Sequence, residues 1–352
     1  VTREKESPVR LLLVDDSATV RSVVRYLLEK EGGIEVVGEA CDGCEAVEKA
    51  SSLRPDAILM DITMPRMDGL SATGHIMATC PAPIVAFSSL TWSGEARASI
   101  DMLAAGALDV LGKPDLADAR AAEECARLLR RKIRIASKVA VVRHLKSRIA
   151  APLSRPTVPG VPEGVAVGAS TGGPAALRDL LGRLSPSCPF PVLVVQHITH
   201  GFTDGFVEWL GQQIRLPVRV AAETDRAEAG RVLIAPEGRQ MEVRADGTVR
   251  CVSRSPRGVH IPSVDVLFES AAQAWGGRGM GILLTGMGAD GAQGLLAMKR
   301  AGASTAAQDE GSCVVFGMPA EAARIGAVSL LLPPGELGDL LRKAEKAGSG
   351  LG

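Results

Sequence analysis

Residues 165–173 read VAVGASTGG, and past Pro174 the chain continues as AALRDLLGRL, a helix-like run. Val165, Ala166 and Val167 form a short apolar strand, and Gly168-Ala169-Ser170-Thr171-Gly172 turn it toward the helix. Pro174 suits a helix's first turn, where a missing N–H costs nothing. Gly-x-Ser-x-Gly between strand and helix is the frame of a nucleophile elbow, whose small flanking residues allow a sharp turn that projects Ser170 into a cleft. Free N–H groups at the helix start could stabilise developing negative charge. Alone, the stretch reads equally well as a Gly-rich turn with an ordinary serine. The rest of the chain decides.

Downstream, Pro191-VLVVQH is a buried-type strand ending in His197, and MGILLTGMGADGAQGLLAMKRAG is a strand, a Gly-rich loop and a helix, with Asp290 in the loop. Serine, histidine and aspartate at three strand ends make a plausible triad. The order Ser170, His197, Asp290 differs from the α/β-hydrolase, chymotrypsin and subtilisin orders, but triads are defined by geometry rather than order. His260, in the Pro-flanked loop SPRGVHIPSVD, is the rival base, and His197 is the better placed of the two. His197 and His200 form an HxxH pair, but no third ligand, HExxH motif or Cys cluster accompanies it, so no metal is expected there.

Upstream, Arg10-LLLVDDS opens with a continuous apolar strand, and helix-like sequence follows over Ala18–Lys30. Strand-like segments recur at Ile34–Gly38, Ala57–Met60, Ile84–Phe87 and Ala107–Val110. The alternation predicts a doubly wound, five-stranded parallel sheet with its site beyond the carboxyl ends of the strands. Asp15, Asp16, Asp61 and Ser88 all fall at such ends, and Lys113 follows just after another. Three carboxylates can hold Mg²⁺, which keeps waters and a phosphate oxygen, while Lys113 balances phosphoryl charge.

With LLLVDDS, MDITMPRMDGL, FSS and Lys113-Pro114 in view, residues 9–130 resemble a response-regulator receiver domain. The resemblance implies that Asp61 is the phosphoacceptor, that Asp15, Asp16 and Asp61 bind Mg²⁺, that Ser88 is the switch hydroxyl and that Lys113 is the conserved lysine. Receivers commonly carry an aromatic three residues before that lysine. Val110 stands here, which bears on the aromatic swing and not on phosphorylation.

Gly164 to Pro334 resembles the catalytic domain of the chemotaxis protein-glutamate methylesterases, the CheB type. GASTGGP, VVQH, GFT, IAP, PSVDVLF, LLTGMGADGA and CVVFGMP carry it. The implied roles are nucleophile for Ser170, general base for His197, orienter for Asp290, and a place beside the oxyanion for Thr171 and Met287. Two departures, Ile261 for a basic residue and Gln240 for a histidine, leave the triad intact and bear on the substrate surface. The implied substrate is a γ-glutamyl methyl ester on the cytoplasmic helices of methyl-accepting chemoreceptors, hydrolysed to methanol without a cofactor, with receptor glutamines deamidated by the same route. A histidine kinase is the implied phosphodonor. Other readings are a receiver-gated scaffold with a vestigial triad and a hydrolase of small esters or peptides.

The expected architecture is α/β: a receiver over 9–130, a basic, Pro-rich linker over 131–160, and an α/β methylesterase domain with a mostly parallel sheet over 161–345. Nine Lys or Arg and no acidic residue lie between Arg127 and Arg148, read as a helix running into a solvated connector or a docking surface. The 352 residues suit two domains, and 40 basic against 40 acidic residues leave no field that implies nucleic acid. No apolar run reaches the roughly 18 residues of a membrane span, and the charged VTREKESPVR is unlike a signal peptide. Seven scattered cysteines, including an incidental Cys41-x-x-Cys44, suggest reduced thiols and a cytoplasmic protein without membrane insertion.

Overall fold

A computed structural model of the chain describes residues 7–88, 93–114, 118–138, 160–253 and 260–349. The chain divides into two compact units between Leu145 and Lys146.

In the first unit five strands alternate with five helices: β1 (Val9–Val14), α1 (Ala18–Glu29), β2 (Ile34–Ala40), α2 (Gly43–Leu53), β3 (Ala57–Asp61), α3 (Gly69–Thr79), β4 (Ile84–Ser88), α4 (Ser93–Ala104), β5 (Asp109–Gly112) and α5 (Ala119–Ala136). The strands pair in parallel in the order β2-β1-β3-β4-β5. Leu11, Leu12 and Leu13 are all buried, as are Ile58, Leu59 and Met60. Both faces of the sheet are therefore covered, which is why these strands read as continuous apolar runs rather than alternating ones. The strand order reverses between β1 and β3, so the ends carrying Asp15 and Asp61 border the crevice where such sheets bind ligands. β5 begins two residues later than its apolar run, because the Ala107 N–H is still bonded to Met102 O at the end of α4.

The start of the basic run belongs to α5, where much of its charge is used internally. Arg130 is buried and donates to Leu27 O and Glu31, Lys132 pairs with Asp109, and Arg134 donates to Gly32 O. These three cations pin α5 to the receiver rather than forming a solvated face. Most of the expected linker lies outside the described residues.

The second unit contains β6 (Gly164–Ala169), α6 (Gly173–Leu181), β7 (Val192–Gln196), α7 (Thr203–Gln213), β8 (Val218–Val220), β9 (Val232–Ile234), β10 (Gln240–Val243), β11 (Val249–Val252), α8 (Val264–Trp275), β12 (Gly279–Leu283), α9 (Ala292–Arg300), β13 (Ser304–Gln308), α10 (Met318–Arg324), β14 (Leu330–Leu332) and α11 (Pro334–Ser349). Seven strands form one wholly parallel sheet in the order β14-β13-β12-β6-β7-β9-β8. β10 and β11 are a separate antiparallel hairpin. The chain starts in the middle at β6, builds outward to β7, β9 and β8, then returns to β6's other side with β12. A topological switch point therefore lies between β6 and β12.

Candidate functional site

Ser170 is the first residue past β6, directly at that switch point. The register pairs Ala169 with Gln196 and Gly168 with Leu283, so the next residues along the three strands are Ser170, His197 and, one step further, Thr285. Ser170 N–H donates to Thr285 O at 3.0 Å, and His197 N–H to Ala169 O at 2.9 Å. The turn into α6 requires glycine at 172, which sits at φ +79° and whose Cβ would strike Val314. Gly286 is needed for close approach: a Cβ there would lie 2.7 Å from Ser170 Cβ. Its absence brings the Thr285–Met287 backbone against the serine. Neither the Thr171 nor the Met287 N–H is used in a backbone hydrogen bond among the described residues.

His197 and Asp290 meet, with Nε2 2.9 Å from Oδ2. The separation is that of a hydrogen bond, yet the N–H points too far off line to make one. Catalytic contacts are often misaligned without substrate. Asp290 is held from the other side by the start of α8: Ser263 Oγ donates at 2.8 Å, Val264 N–H at 2.8 Å and Asp265 N–H at 3.1 Å. Ser263 makes no side-chain cap for its own helix, so Asp290, from a distant loop, takes that place. Burial alone would raise the Asp290 pKa. His197 and the two backbone donors outweigh it and bring the carboxyl down to about 2, a fixed anion.

Buried polar residues frame Ser170, His197 and Asp290, and three of them, Gln196, Thr285 and Gln308, were not expected from the sequence. Gln196 Nε2 donates to both Ser170 O at 2.9 Å and His197 O at 2.8 Å, tying the two residues to one amide. Thr285 Oγ1 donates to Thr171 O, and Gln308 Oε1 accepts from Thr285 N–H at 2.9 Å. Gln240 is fully buried, donating to His260 O and accepting from Ser263 N–H. It thereby joins the loop of His260 to the start of α8, behind Asp290. Ile261 is exposed at 44 %. Their common signal was available: Gln196, Thr285 and Gln308 each close an apolar strand run with a polar side chain.

His200 points away, 91 % exposed and 3.6 Å from Glu237, whose carboxylate also accepts from the N–H groups of Gly201 and Thr203. The HxxH pair belongs to no metal-ligand cluster among the described residues. His260, the rival base, stacks on His197 instead, with ring centroids 4.9 Å apart.

In the first unit, Asp15, Asp16 and Asp61 bring carboxylate oxygens within 4.8 Å of one another. Lys113 Nζ lies 2.8 Å from Asp15 Oδ2 and 2.9 Å from Asp61 Oδ2, and Lys113 N–H donates to Ser88 O. Asp15 Oδ2 has the lysine near but no aligned donor, and the buried Ser88 hydroxyl has no hydrogen-bond partner among the described residues. A buried acceptor and a buried hydroxyl without partners suit a pocket made for a cation and a phosphoryl group. Burial, with the Asp15 charge, raises Asp61 to about 6 despite Lys113. Val110 is buried inside β5 opposite Ala86. Cys41 lies beside Asp42 and Glu45, but both carboxylates pair with Arg66, and Asp42 caps α2, so the group reads as an ion-paired helix start. All seven cysteines are free thiols. No helix among the described residues is long and apolar enough to cross a membrane.

An acidic phosphoryl-type pocket on one doubly wound sheet and a Ser-His-Asp cluster on a second define a receiver joined to a hydrolase. Family models agree: residues 11–122 match the response regulator receiver domain and residues 165–341, half of the chain, the CheB methylesterase. Among curated proteins, a protein-glutamate methylesterase/protein-glutamine glutaminase of Anaeromyxobacter dehalogenans is 44 % identical, over 96 % of this chain and 97 % of its own. One from Geobacter metallireducens is 43 % identical over 93 % and 96 %. The crystal structure of the Thermotoga maritima CheB methylesterase catalytic domain aligns along its whole length with 53 % of this chain, at 32 % identity and a TM-score of 0.50. The chain belongs to the CheB methylesterase family, and it is a hydrolase carrying a response-regulator receiver.

Proposed function

We propose that the chain removes methyl groups from γ-glutamyl esters on the cytoplasmic helices of methyl-accepting chemoreceptors, and deamidates receptor glutamines by the same acyl route. The relatives' names, protein-glutamate methylesterase and protein-glutamine glutaminase, support both activities. The observation that carries the mechanism is Asp290, anchored on the α8 N-terminus with one oxygen 2.9 Å from His197. His197 Nε2 faces that carboxylate, which leaves Nδ1 to take the Ser170 proton. Ser170 Oγ attacks the ester carbonyl, and the N–H groups of Thr171 and Met287 hold the oxyanion, each such donor worth about 3–4 kcal/mol. The imidazolium returns its proton to the departing methoxide, giving methanol and an acyl-enzyme. Water, deprotonated by His197, then attacks the acyl carbon, and Ser170 leaves with the proton, freeing the glutamate.

The receiver, residues 9–130, regulates this chemistry. Asp61 accepts the phosphoryl group from a histidine kinase, with Ser88 and Lys113 as switch residues. Asp15, Asp16 and Asp61 would hold Mg²⁺, which supplies positive charge against the phosphoryl oxygens. The protein works in the cytoplasm, and residues 131–160 join the receiver to the catalytic domain, residues 161–345. Unphosphorylated receiver restrains the enzyme, and phosphorylation shifts it between two states by no more than its differential stabilisation of them.

The test is methanol release from methylated receptor helices by the full chain, with and without a small phosphodonor. Release that rises with phosphodonor is expected. No release from receptor, alongside hydrolysis of small esters, would overturn the substrate assignment. No hydrolysis of either would leave a scaffold with a vestigial triad. A fragment starting at Val161 should demethylate faster than the unphosphorylated full chain and ignore phosphodonor. Equal or lower activity of that fragment would make the receiver an activator or a targeting module.

A further inference from the structure

We propose that His260 is a positioning residue for this reaction, its imidazole stacked against the His197 ring so that its face stabilises the imidazolium formed when His197 takes the Ser170 proton. The inference rests on the reading of His197 as the base. The rings lie with centroids 4.9 Å apart and planes inclined by 21°. A neutral π face at that distance attracts a cation more than a neutral ring, so the contact strengthens as the proton arrives. Only such a differential contact raises kcat.

The stack is built into the fold. His260 O accepts from Gln240 Nε2 at 2.7 Å, and the same buried amide accepts from Ser263 N–H at 2.6 Å. Ser263 Oγ donates to Asp290 at 2.8 Å. One glutamine from β10 therefore sets both partners of His197, the ring on its face and, through Ser263, the carboxylate at its edge. This explains why a fully buried polar side chain lies so far in sequence from the triad.

A protonated His260 would oppose the charge it otherwise supports. Among the described residues, Asp290 faces the His197 edge and Asp265 lies next to Asp290, whereas His200 turns away toward Glu237 in the loop after β9.

The experiment compares His260→Ala and His260→Phe in the full-length protein by methanol release from methylated receptor across pH 5–9. Phosphorylation by a small phosphodonor and thermal melts check folding. His260→Ala is expected to lower kcat roughly tenfold with KM little changed. His260→Phe keeps an aromatic face that cannot titrate. It should retain kcat within about threefold at pH 8. A wild-type profile in His260→Ala would overturn the proposal. So would a rise in KM alone, which would mark a substrate contact, or equal loss of kcat in both variants. If the wild type released no methanol, the proposed function would fail; a wild type that released methanol with His260→Ala unimpaired would sink the stack alone.

Discussion

Both doubly wound sheets carry a buried carboxylate near a reversal of strand order, Asp61 at the end of β3 and Asp290 in the loop between β12 and α9, yet give them opposite characters. In the receiver, Asp61 shares a buried pocket with Asp15, and one lysine serves both; its pKa rises to about 6. In the catalytic unit Asp290 is equally buried but meets a histidine and a helix N-terminus, and its pKa falls to about 2. Burial pushes both upward. The number and alignment of donors decides the sign. A carboxylate kept short of donors suits a group to be phosphorylated beside a cation, whereas one surrounded by them suits a permanent anion that orients an imidazole.

The largest expected effect tests the catalytic side alone. Ser170→Ala should cut methanol release on the order of 10⁴-fold or more, and His197→Gln should match it within about tenfold, because triad members act as a unit. Phosphorylation at Asp61 should be unchanged in both. Substantial turnover by either variant would remove the triad.

Asp290→Asn should cost roughly 10²–10⁴-fold, through loss of the oriented tautomer. It also removes the anion that meets the α8 N-terminus. Because the folded Asp290 carboxyl titrates below its unfolded value, its contribution to stability is present above about pH 4 and lost as pH falls toward about 2. Urea melts at pH 7 should show the variant less stable, with the difference shrinking toward pH 2. A difference independent of pH would mean that the α8 contacts do not favour the charged form.

Asp61→Asn should abolish Mg²⁺-dependent phosphorylation and affect stability in the opposite sense. The folded carboxyl holds its proton up to about pH 6, so wild-type stability falls as pH rises from about 4 to 6. Without Mg²⁺ the variant should gain ~1–3 kcal/mol at pH 7 and nothing below about pH 4. Phosphate uptake by the variant, or a loss of stability at pH 7, would break the contrast with Asp290.

The smallest effect concerns the receiver's departure. Val110 is enclosed within β5, so Val110→Phe must displace its neighbours to fit, costing ~1–3 kcal/mol. Activation by phosphodonor, measured as the ratio of rates, should change less than about twofold, since cost to the fold is shared by both states. A several-fold change would show that an aromatic here does couple the pocket to the enzyme.

By itself the sequence determined the two parallel α/β units, because buried parallel strands must be apolar along their whole length and end in turns, and LLLVDD, VAVGAS and VLVVQH have that form. It also marked Ser170, His197, Asp290 and Asp61, whose side chains sit at or just beyond strand ends. The edges of elements shifted where local bonds competed, as at Ala107. Only the tertiary structure decided how these residues are held. Asp290 is anchored by α8, which precedes it by 15 residues or more along the chain. His197 is stacked on His260, 63 positions away. Gln196, Gln240 and Gln308 find their partners across strand and loop boundaries. Periodicity reports which face of an element is buried, but a buried amide or carboxylate is satisfied by whatever donor the fold brings within 3 Å, and no local pattern encodes that neighbour.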